Sequence, residues 1–238
     1  MMTTQTTQTT PSTDVAQLSP IERWTRAFRA LARVMANPEE TDQVLVFSNL
    51  ANAGSMGKRL ERFFEDPNGA RLYAEKRAID AHTVDLDQLA ALPAGTLGHA
   101  YAHFLRSRGF TPDVFEGAPP DVSDPRASYV IQRMRQTHDL WHVVTGHDTN
   151  PAGEVALQAF TFAQVQAPST FILSTVGTLR GLREVPTLPR EVLAAYRTGR
   201  KAAKLVSFPW EDHWATPLTE VRAMLGLPEF PVTQKAAA

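Results

Sequence analysis

The stretch DPRASYVIQRMRQTHDLWHVVTGHDTNPAGE, residues 124–154, predicts a long helix that turns directly into a second helix. Asp124 followed by proline is typical of a helix start, because aspartate caps free amide groups and proline fits the first turn. Gly146 is placed to end the helix, since glycine tolerates the left-handed conformation common at that position. Residues 150–153 then predict a turn, so that Glu154 begins the next helix and folds back beside the first.

Helical spacing also dominates the rest of the chain. Ser19 forms a capping box with Glu22, and apolar side chains then recur at intervals of three and four residues. Further helices are predicted over residues 40–52, 55–65, 97–108, 154–166, 189–207 and 217–225, with another apolar helix from residue 168. No alternating strand pattern and no internal repeat is found. The sequence therefore predicts an all-α, single-domain multi-helix bundle.

The domain is predicted to span residues 19–227 of the 238-residue chain. Residues 1–18 are rich in threonine and glutamine, and we expect a disordered tail there and a flexible C-terminal tail over residues 228–238. The N-terminus has neither the basic nor the apolar region of a signal peptide. No apolar run approaches the length of about 18 residues that predicts a transmembrane helix. We therefore expect an intracellular protein, soluble or bound at a membrane surface.

Composition excludes several kinds of site. The formal net charge is −1, so no overall basic field attracts nucleic acid, and we expect no nucleic-acid partner. Cysteine is absent, which excludes disulfides, thiolate nucleophiles and cysteine-ligated zinc. Any metal must therefore be bound by histidine, aspartate or glutamate.

His138 and His142 lie four residues apart in the long helix, with Asp139 beside the first of them. At about 100° per residue, the three side chains lie within little more than a quarter of a turn. Glu154 can complete the set, as in two-histidine sites closed by a carboxylate from a neighbouring helix. Nitrogen and oxygen ligands without sulfur suit zinc, iron(II) or manganese and do not discriminate among them. A pair of surface or core histidines without a metal is the alternative interpretation.

A metal-dependent phosphohydrolase of the His-Asp kind is a further alternative. It needs an additional histidine upstream and an aspartate downstream at the same metal, for which His99 or His103 and Asp212 are available. A metalloprotease is disfavoured, because Asp139 stands where that motif has a glutamate, and the shorter side chain reaches less far towards a substrate water.

Residues 124–160, DPRASYVIQRMRQTHDLWHVVTGHDTNPAGEVALQAF, resemble the core of the ubiquinone (coenzyme Q) biosynthesis protein family called Coq-four. The signature of that family is His-Asp-x-x-His, eleven residues and then Glu, and here the eleven are residues 143–153. The segments LPAGTLGHAYAHFLRSRGF and YRTGRKAAKLVSFPWEDHWATPLTEVRAMLGL resemble the preceding helix and the C-terminal part of the family. The resemblance covers residues 19–227.

The resemblance implies an all-helical protein in which His138, Asp139, His142 and Glu154 bind a divalent metal, either zinc, iron or manganese. It also implies a role in ubiquinone biosynthesis, with oxidative removal of the carboxyl group at ring carbon 1 of a polyprenylated hydroxybenzoate and hydroxylation there. The same four residues would then be the catalytic residues of a metal-dependent oxidative decarboxylase. A second role, as a non-catalytic isoprenoid-lipid-binding scaffold that organises a quinone-biosynthesis complex, stays open.

Partners and location follow from the same resemblance. Members of the family associate as dimers and with other quinone-biosynthesis proteins at the membrane surface. We therefore expect a homodimer that is cytoplasmic and peripheral at the inner face of the membrane, with a polyprenylated quinone precursor as its small-molecule partner.

An isoprenoid tail requires an apolar surface, and residues 155–165 and 168–182 are apolar on most faces. We expect these residues to form an apolar lipid groove that opens beside the metal site, although the core of a helical bundle would have the same composition. Phe160 is a candidate substrate contact in that groove. Arg133 and Arg135 are candidates for binding a substrate carboxylate or phosphate, with ordinary salt-bridged arginines as the alternative.

Overall fold

The structure is a computed structural model that describes residues 14–37, 41–112, 119 and 122–229. No β-strand occurs among these residues, which confirms the all-α prediction. The helices are α1 (Pro20–Ala36), α2 (Thr41–Asn52), α3 (Met56–Phe64), α4 (Pro67–Ala74), α5 (Leu86–Ala90), α6 (Leu97–Arg108), α7 (Pro125–Thr145), α8 (Pro151–Val165), α9 (Pro168–Gly181), α10 (Leu188–Lys201) and α11 (Leu218–Met224).

Both predicted tails extend beyond the described residues. The Thr/Gln-rich tail lies outside them up to position 13, and the C-terminal tail from position 230. Val15–Gln17 form a short 3-10 helix, and Leu18 is buried. Packed structure therefore begins before residue 19, and the exact bounds of the domain stay a prediction.

The connection between α7 and α8 is closed by local signals. Gly146 ends α7 in the left-handed conformation, with a φ of 76°. The Asn150 side chain accepts a hydrogen bond from the Gly153 amide, 2.8 Å away, and Pro151 fits the first helical position, so α8 begins there. The predicted turn is thus the first turn of α8, and Glu154 lies within that turn.

The sequence predicts no helix over α4, which the structure contains. The pair Asn68 and Gly69 is typical of a turn and not of a helix, and the eight residues of α4 are too few for a clear apolar repeat. Asp66 nevertheless caps the helix, because its side chain accepts a hydrogen bond from the Asn68 amide at 3.0 Å.

The helix predicted over residues 189–207 is shorter than expected, because α10 ends at Lys201. The Leu205 amide donates instead to the Gln164 side chain of α8, 2.9 Å away. The segment after α10 therefore turns back and lies against α8.

Two hydrophobic clusters hold the helices together. The larger cluster joins α5 to α8 with α10 and α11, and its fully buried members include Leu140, Leu157 and Phe160. The smaller cluster joins α1 and α2 through Leu31 and Phe47, with side chains of α9 packed against it. His138 and His142 lie two residues before and two residues after Leu140, so the larger cluster anchors the part of α7 that carries them.

Glycines allow α8 to pack closely on both of its neighbours. A Cβ atom at Gly177 of α9 would lie 2.3 Å from Val155 Cγ2, and one at Gly199 of α10 would lie 2.7 Å from the Phe160 carbonyl oxygen. Both distances are shorter than real Cβ contacts, so any residue other than glycine at position 177 or 199 would force neighbouring atoms to move. The position of α8, and of Glu154 with it, is therefore fixed from two sides.

Apolar side chains are exposed on α1 and α9. Ile21 and Phe28 of α1 are 81% and 57% exposed, and Leu179 of α9 is 69% exposed. Arg180 donates a hydrogen bond to the Met35 carbonyl oxygen, so the ends of the two helices are in contact. None of the described helices combines the length and the hydrophobicity that crossing a bilayer requires.

Candidate metal centre

Three side chains from α7 and α8 converge where the two helices meet. One nitrogen of His138, one nitrogen of His142 and one carboxylate oxygen of Glu154 all lie within 4.8 Å of one another. His142 Nε2 is 3.1 Å from Glu154 Oε1, and His138 Nε2 is 3.8 Å from Glu154 Oε2. The His142 side chain is fully buried, whereas those of His138 and Glu154 are 31% and 37% exposed. The group therefore lies at a partly open edge of the core.

The direction of the His142 ring is fixed by its other nitrogen. His142 Nδ1 lies 2.8 Å from the carbonyl oxygen of His147, and a carbonyl oxygen only accepts hydrogen bonds. Nδ1 is therefore protonated, which leaves Nε2 with a free lone pair in the neutral ring. Phe104 of α6 stacks on the ring, with centroids 5.6 Å apart. Burial, together with the nearby His142, lowers the pKa of His147, so its own side chain is neutral near pH 7.

His142 Nε2 is buried and has no hydrogen-bond partner among the described residues. Its 3.1 Å contact with Glu154 lacks the geometry of a hydrogen bond. Leaving such an atom unsatisfied costs about 1–3 kcal/mol, and a lone pair facing a carboxylate adds repulsion. A divalent cation bound by His138, His142 and Glu154 would satisfy all three groups, and these donors suit zinc, iron or manganese. The residues present therefore fit a metal ion.

Asp139 contacts the second nitrogen of His138. Asp139 Oδ1 is 3.4 Å from His138 Nδ1, whereas His138 Nε2 is the nitrogen nearer Glu154. Burial lowers the pKa of His138, but the contact with Asp139 and the charge of Glu154 outweigh burial and raise this pKa above its ordinary value. Asp139 does not belong to the converging group. It is placed to orient a metal-bound histidine, and its assignment as a fourth ligand stays a prediction.

Arg108 of α6 holds the loop between α7 and α8. Its guanidinium donates to Thr149 Oγ1 and Asp148 Oδ1, each at 3.0 Å, and lies over the Phe104 ring, 4.0 Å from the centroid. The hydrogen bond from Arg108 lowers the pKa of Asp148. Sequence pattern reveals neither Arg108 nor Phe104, because the contact between Arg108 and Asp148 joins residues 40 positions apart.

Gly153 lets the same loop pass close to α8. A Cβ atom at this position would lie 2.1 Å from the main-chain oxygen of Asp148. Only glycine leaves room for this approach, which brings the first turn of α8, with Glu154, against α7.

The three predicted substrate-binding residues make contacts within the protein. Arg133 is buried and pairs with Glu211 through both Nη atoms, at 2.5 and 2.9 Å. Arg135 donates to the Asn49 side-chain oxygen at 3.1 Å. Phe160 is fully buried in the larger hydrophobic cluster. None of the three belongs to the converging group, and their contact with a substrate stays a prediction.

The additional ligands of a His-Asp phosphohydrolase are not assembled in the described part of the chain. Asp212 pairs instead with Arg71 and Arg77, at 2.9 and 2.8 Å. His99 and His103 line a separate surface cavity. The structure therefore gives this alternative no support.

Comparison with known proteins identifies the family. A family model described as "Coenzyme Q (ubiquinone) biosynthesis protein Coq4" matches residues 13–231. The chain belongs to the Coq4 family. The match includes α7 and α8 entirely and therefore every residue of the converging group. Membership in Coq4 confirms the resemblance that the histidine motif and its flanking segments predict.

Coq4 relatives match this chain along most of its length. The Rattus norvegicus protein "Ubiquinone biosynthesis protein COQ4 homolog, mitochondrial" is 31% identical over 212 residues, which are 88% of this chain and 79% of that protein. The Danio rerio protein of the same name is 34% identical over 201 residues, which are 84% of this chain and 74% of that protein. A crystal structure of a candidate ubiquinone biosynthesis protein from Nostoc punctiforme is 30% identical, with a TM-score of 0.70, and the match covers 86% of this chain and 98% of that chain. This Coq4 chain is thus a ubiquinone biosynthesis protein by family.

Proposed function

We propose that this Coq4 protein is a metal-dependent enzyme of ubiquinone or related quinone biosynthesis. Zinc, iron or manganese would be bound by His138, His142 and Glu154, with Asp139 as a fourth ligand or as the carboxylate that orients His138. The buried His142 Nε2 atom carries the proposal, because it faces a carboxylate and has no hydrogen-bond partner in the described residues. The exposed edge at His138 and Glu154 leaves room for a small molecule, as catalytic metal sites require and closed structural sites do not.

The proposed reaction replaces the carboxyl group at ring carbon 1 of a polyprenylated hydroxybenzoate by a hydroxyl group. The bond between ring carbon 1 and the carboxyl carbon breaks and carbon dioxide leaves, while ring carbon 1 forms a bond to one oxygen atom of dioxygen. The other oxygen atom takes up two electrons and two protons from an external reductant and leaves as water. A bound divalent ion would stabilise developing negative charge, and iron or manganese would also supply redox chemistry.

The chain prepares its own side chains for this role. The His147 carbonyl keeps the His142 proton on Nδ1, so that Nε2 stays available as a ligand. Asp139 Oδ1 would likewise keep the His138 proton on Nδ1, 3.4 Å away, so that His138 Nε2 stays available as a ligand. Glu154 lies in the first turn of α8, where the helix dipole favours a negative charge. The partly exposed His138 and Glu154 side chains then border the edge from which the substrate ring would approach.

The isoprenoid tail of such a substrate needs an apolar surface beside the metal centre. Gly177 of α9 packs against Val155, the residue after Glu154, so the last turn of α9 lies near this end of α8. Leu179 and Leu182 are exposed there, at 69% and 45%. We place the proposed lipid groove along this part of α9.

Quinone profiling by mass spectrometry tests the reaction. A strain that lacks its own Coq4 gene receives the wild-type chain or the His142→Ala variant, with His99→Ala as a control outside the converging group. We expect wild type and His99→Ala to restore the quinone, and His142→Ala to accumulate a polyprenylated ring that still carries its carboxyl group. Full restoration by His142→Ala would refute the metal-dependent reaction.

A second candidate function, the non-catalytic lipid-binding scaffold at a membrane surface, is supported by α1. Ile21, Phe28 and Met35 form an exposed apolar row along this helix, at 81%, 57% and 42%. The exposed side chains of Arg26 and Arg29 lie on other faces of the same helix. A helix with an apolar face and exposed arginines on its polar side is typical of helices that lie in the interface of an anionic membrane.

Glu154→Ala separates the two candidate functions. If the protein is a scaffold, the variant should lower the melting temperature and impair complex assembly, while chemistry proceeds normally once partner proteins are supplied. If the protein is an enzyme, the variant should lose product formation even in an assembled complex. Flotation with anionic vesicles tests the role of α1, where an Ile21→Ser/Phe28→Ser double variant should stay unbound.

The family also motivates proposals for assembly and location. We propose a homodimer that associates with other quinone-biosynthesis proteins at the inner face of a membrane. Light scattering should then give twice the chain mass of 26.3 kDa. Limited proteolysis should remove the two tails and leave the packed domain, which includes the buried Val15 and Leu18 together with residues 19–227.

A further inference from the structure

Arg59 of α3 is a buried cation without a carboxylate partner among the described residues. It is 7% exposed, and its guanidinium donates to Ser55 Oγ at 2.6 Å and to the Asn52 carbonyl oxygen at 2.7 Å, with the Met56 sulfur at 3.7 Å. All three acceptors are neutral. Burial, together with the positive charge of Arg62, lowers the pKa of Arg59 to about 10, so the group is still charged at neutral pH.

Arg133 is a buried arginine that does have a carboxylate partner. It is 1% exposed, and Glu211 binds its guanidinium through two oxygens. Buried charges are normally paired in this way, because an unpaired charge loses its hydration without compensation. The unmatched charge of Arg59 therefore points to a negatively charged group that the described part of the chain does not supply.

Arg59 lines a cavity between α3, α7, the end of α8 and the segment after α10. Two more cations, Arg62 and Lys204, line the same cavity. The other lining side chains are Phe63, Val130, Met134, Gln164, Val165 and Val206, of which all but Gln164 are apolar. The cavity measures about 40 Å³, and about 10–15 Å³ suffices for one water molecule, so the space suits a group of a few atoms.

The polar groups at the rim do not cancel the positive charge. Lys204 Nζ donates to the Arg62 carbonyl oxygen at 3.3 Å and lies 4.0 Å from Asp66 Oδ2. That carboxylate oxygen also accepts a hydrogen bond from Ser207 Oγ at 2.9 Å. Of the three cations, Lys204 alone has a carboxylate within 4.0 Å in the described part of the chain. Because no acidic side chain is among the residues that line the cavity, its lining keeps a net positive charge.

We propose that this cavity binds the oxyanion of an amphiphilic molecule, that is, a carboxylate or phosphate attached to a hydrocarbon. Arg59 binds the oxyanion at the buried end, and Arg62 and Lys204 bind it at the rim. The valines, Phe63 and Met134 contact the first carbon atoms of the hydrocarbon, and the rest of the hydrocarbon extends out of the cavity. Arginine suits this role because its planar fork of N–H donors matches carboxylate and phosphate oxygens.

The cavity is distinct from the metal centre and contains none of its proposed ligands. The inference therefore does not rest on the proposed reaction and is tested on metal-free protein. The two sites are nevertheless close, because Met134 precedes His138 by one turn of α7, about 6 Å along the helix. A molecule bound by its oxyanion in the cavity would lie beside the metal centre.

Isothermal titration calorimetry of the metal-free full chain tests the proposal with three probes. These are decyl phosphate below its micelle concentration, inorganic phosphate and decanol. We expect decyl phosphate to bind at least tenfold more tightly than either of the others, because it alone offers both an oxyanion and a hydrocarbon. If decanol bound as tightly as decyl phosphate, the cations would contribute nothing to binding. If inorganic phosphate bound as tightly as decyl phosphate, the apolar walls would contribute nothing. Either result overturns the proposal, as does the absence of binding.

Variants locate the binding to the cavity. Arg59→Met replaces the guanidinium by an apolar group of similar length, and Arg190→Met makes the same change at an exposed position of α10. We expect at least a tenfold loss of decyl phosphate affinity for Arg59→Met and none for Arg190→Met. Wild-type affinity in a folded Arg59→Met variant would overturn the proposal.

The rim double variant Arg62→Ala/Lys204→Ala guards against a folding defect of Arg59→Met. Both side chains are exposed, so their removal should leave the melting temperature within a few degrees of wild type. We expect it to weaken decyl phosphate binding at least threefold and to reduce the dependence of that binding on salt. Unchanged affinity and unchanged salt dependence would contradict an oxyanion site here.

Discussion

The imidazole of His142 donates a hydrogen bond through Nδ1 to the main-chain carbonyl of His147, 2.8 Å away. The left-handed residue Gly146 lies between the two, so the end of α7 itself orients the ring. Because the acceptor is a backbone oxygen, the orientation does not depend on which side chain stands at position 147. Nε2 is therefore held towards Glu154 by the fold, before any ion binds.

Replacing His142 by alanine should remove metal binding, because the most buried donor of the converging group is lost. The loss of affinity should exceed the factor of about 10–100 that removal of an outer hydrogen-bond partner costs. Elemental analysis by mass spectrometry after dialysis against zinc, iron(II) or manganese measures the bound metal. His99→Ala should bind as wild type does, and full occupancy in His142→Ala would place the ligands elsewhere.

Asp139→Asn should weaken metal binding by a factor of about 10–100, because Asp139 contacts the outer nitrogen of His138 and an amide orients that ring less strongly. Competition with a coloured chelator measures the affinity. A loss as complete as that of His142→Ala would make Asp139 a metal ligand instead. Unchanged affinity would exclude both roles.

Gly153→Ala should lower both the free energy of unfolding and the metal affinity. The new Cβ atom would lie 2.1 Å from the Asp148 oxygen, so the loop must move, at a cost of about 1–3 kcal/mol. Gly57→Ala in α3 is the matched control, because a Cβ atom there meets nothing within 4 Å. That control should gain about 0.4–1 kcal/mol. Urea unfolding of both variants measures the free energies, and stabilisation by Gly153→Ala would contradict the close approach.

Arg108→Ala should weaken metal binding about 10–100-fold with little change in helix content, because the loop that carries α8 towards α7 loses its anchor. The control is Arg106→Ala on the same helix, whose pair with Asp87 is exposed and should contribute less than about 1 kcal/mol. Chelator competition and circular dichroism measure the two properties. Equal metal affinity in the two variants would show that the loop is held by other contacts.

Asp212→Asn tests a pH-dependent ion pair away from the metal centre. The hydrogen bond from Arg71 and the charge of Arg77 lower the pKa of Asp212 below its ordinary value despite burial. A lowered pKa stabilises the folded state above the unfolded-state value of about 3.9, and this stabilisation disappears as the pH falls through the folded-state pKa. At pH 6 the variant should be less stable by about 1 kcal/mol or less, since the pair is partly exposed.

Urea unfolding between pH 6 and pH 3 measures this difference for Asp212→Asn. The gap between variant and wild type should narrow only below about pH 4. A gap that is constant over the whole range would mean that the carboxylate charge is not what stabilises the fold. The variant should retain its metal, in contrast to the expectation for a His-Asp phosphohydrolase.

The helices and the converging group were predictable because their signals are local. The i, i+4 spacing of His138 and His142 places both rings on one face of a helix. Asp124, Gly146 and Asn150 then mark where α7 and α8 begin and end through short-range hydrogen bonds. The Asn150 cap starts α8 at Pro151. The sequence predicts a turn over these residues and places the start of α8 three residues later, at Glu154.

Contacts between distant residues were not predictable in the same way. Arg108 and Phe104 reach the site only because α6 packs beside α7, and no periodic pattern encodes that neighbour. The role of the His147 carbonyl has no sequence signal at all, since every residue has a main-chain carbonyl group. Arg59 has no sequence signal of burial, because arginine is usually exposed and its burial here results from the packing of α3 against α7.

The metal centre and the Arg59 cavity are both carried by α7, and this restricts how the sequence can change in length. One residue deleted between Met134 and His138 would rotate the histidines by about 100° relative to the cavity and shift them by about 1.5 Å. Only a change close to a whole turn, about 3.6 residues, would restore their common face, and it would then alter the distance between the two sites. Insertions and deletions within the family should therefore fall in the connections between helices, and the spacing from Met134 to His142 should be the same in every member that keeps both sites.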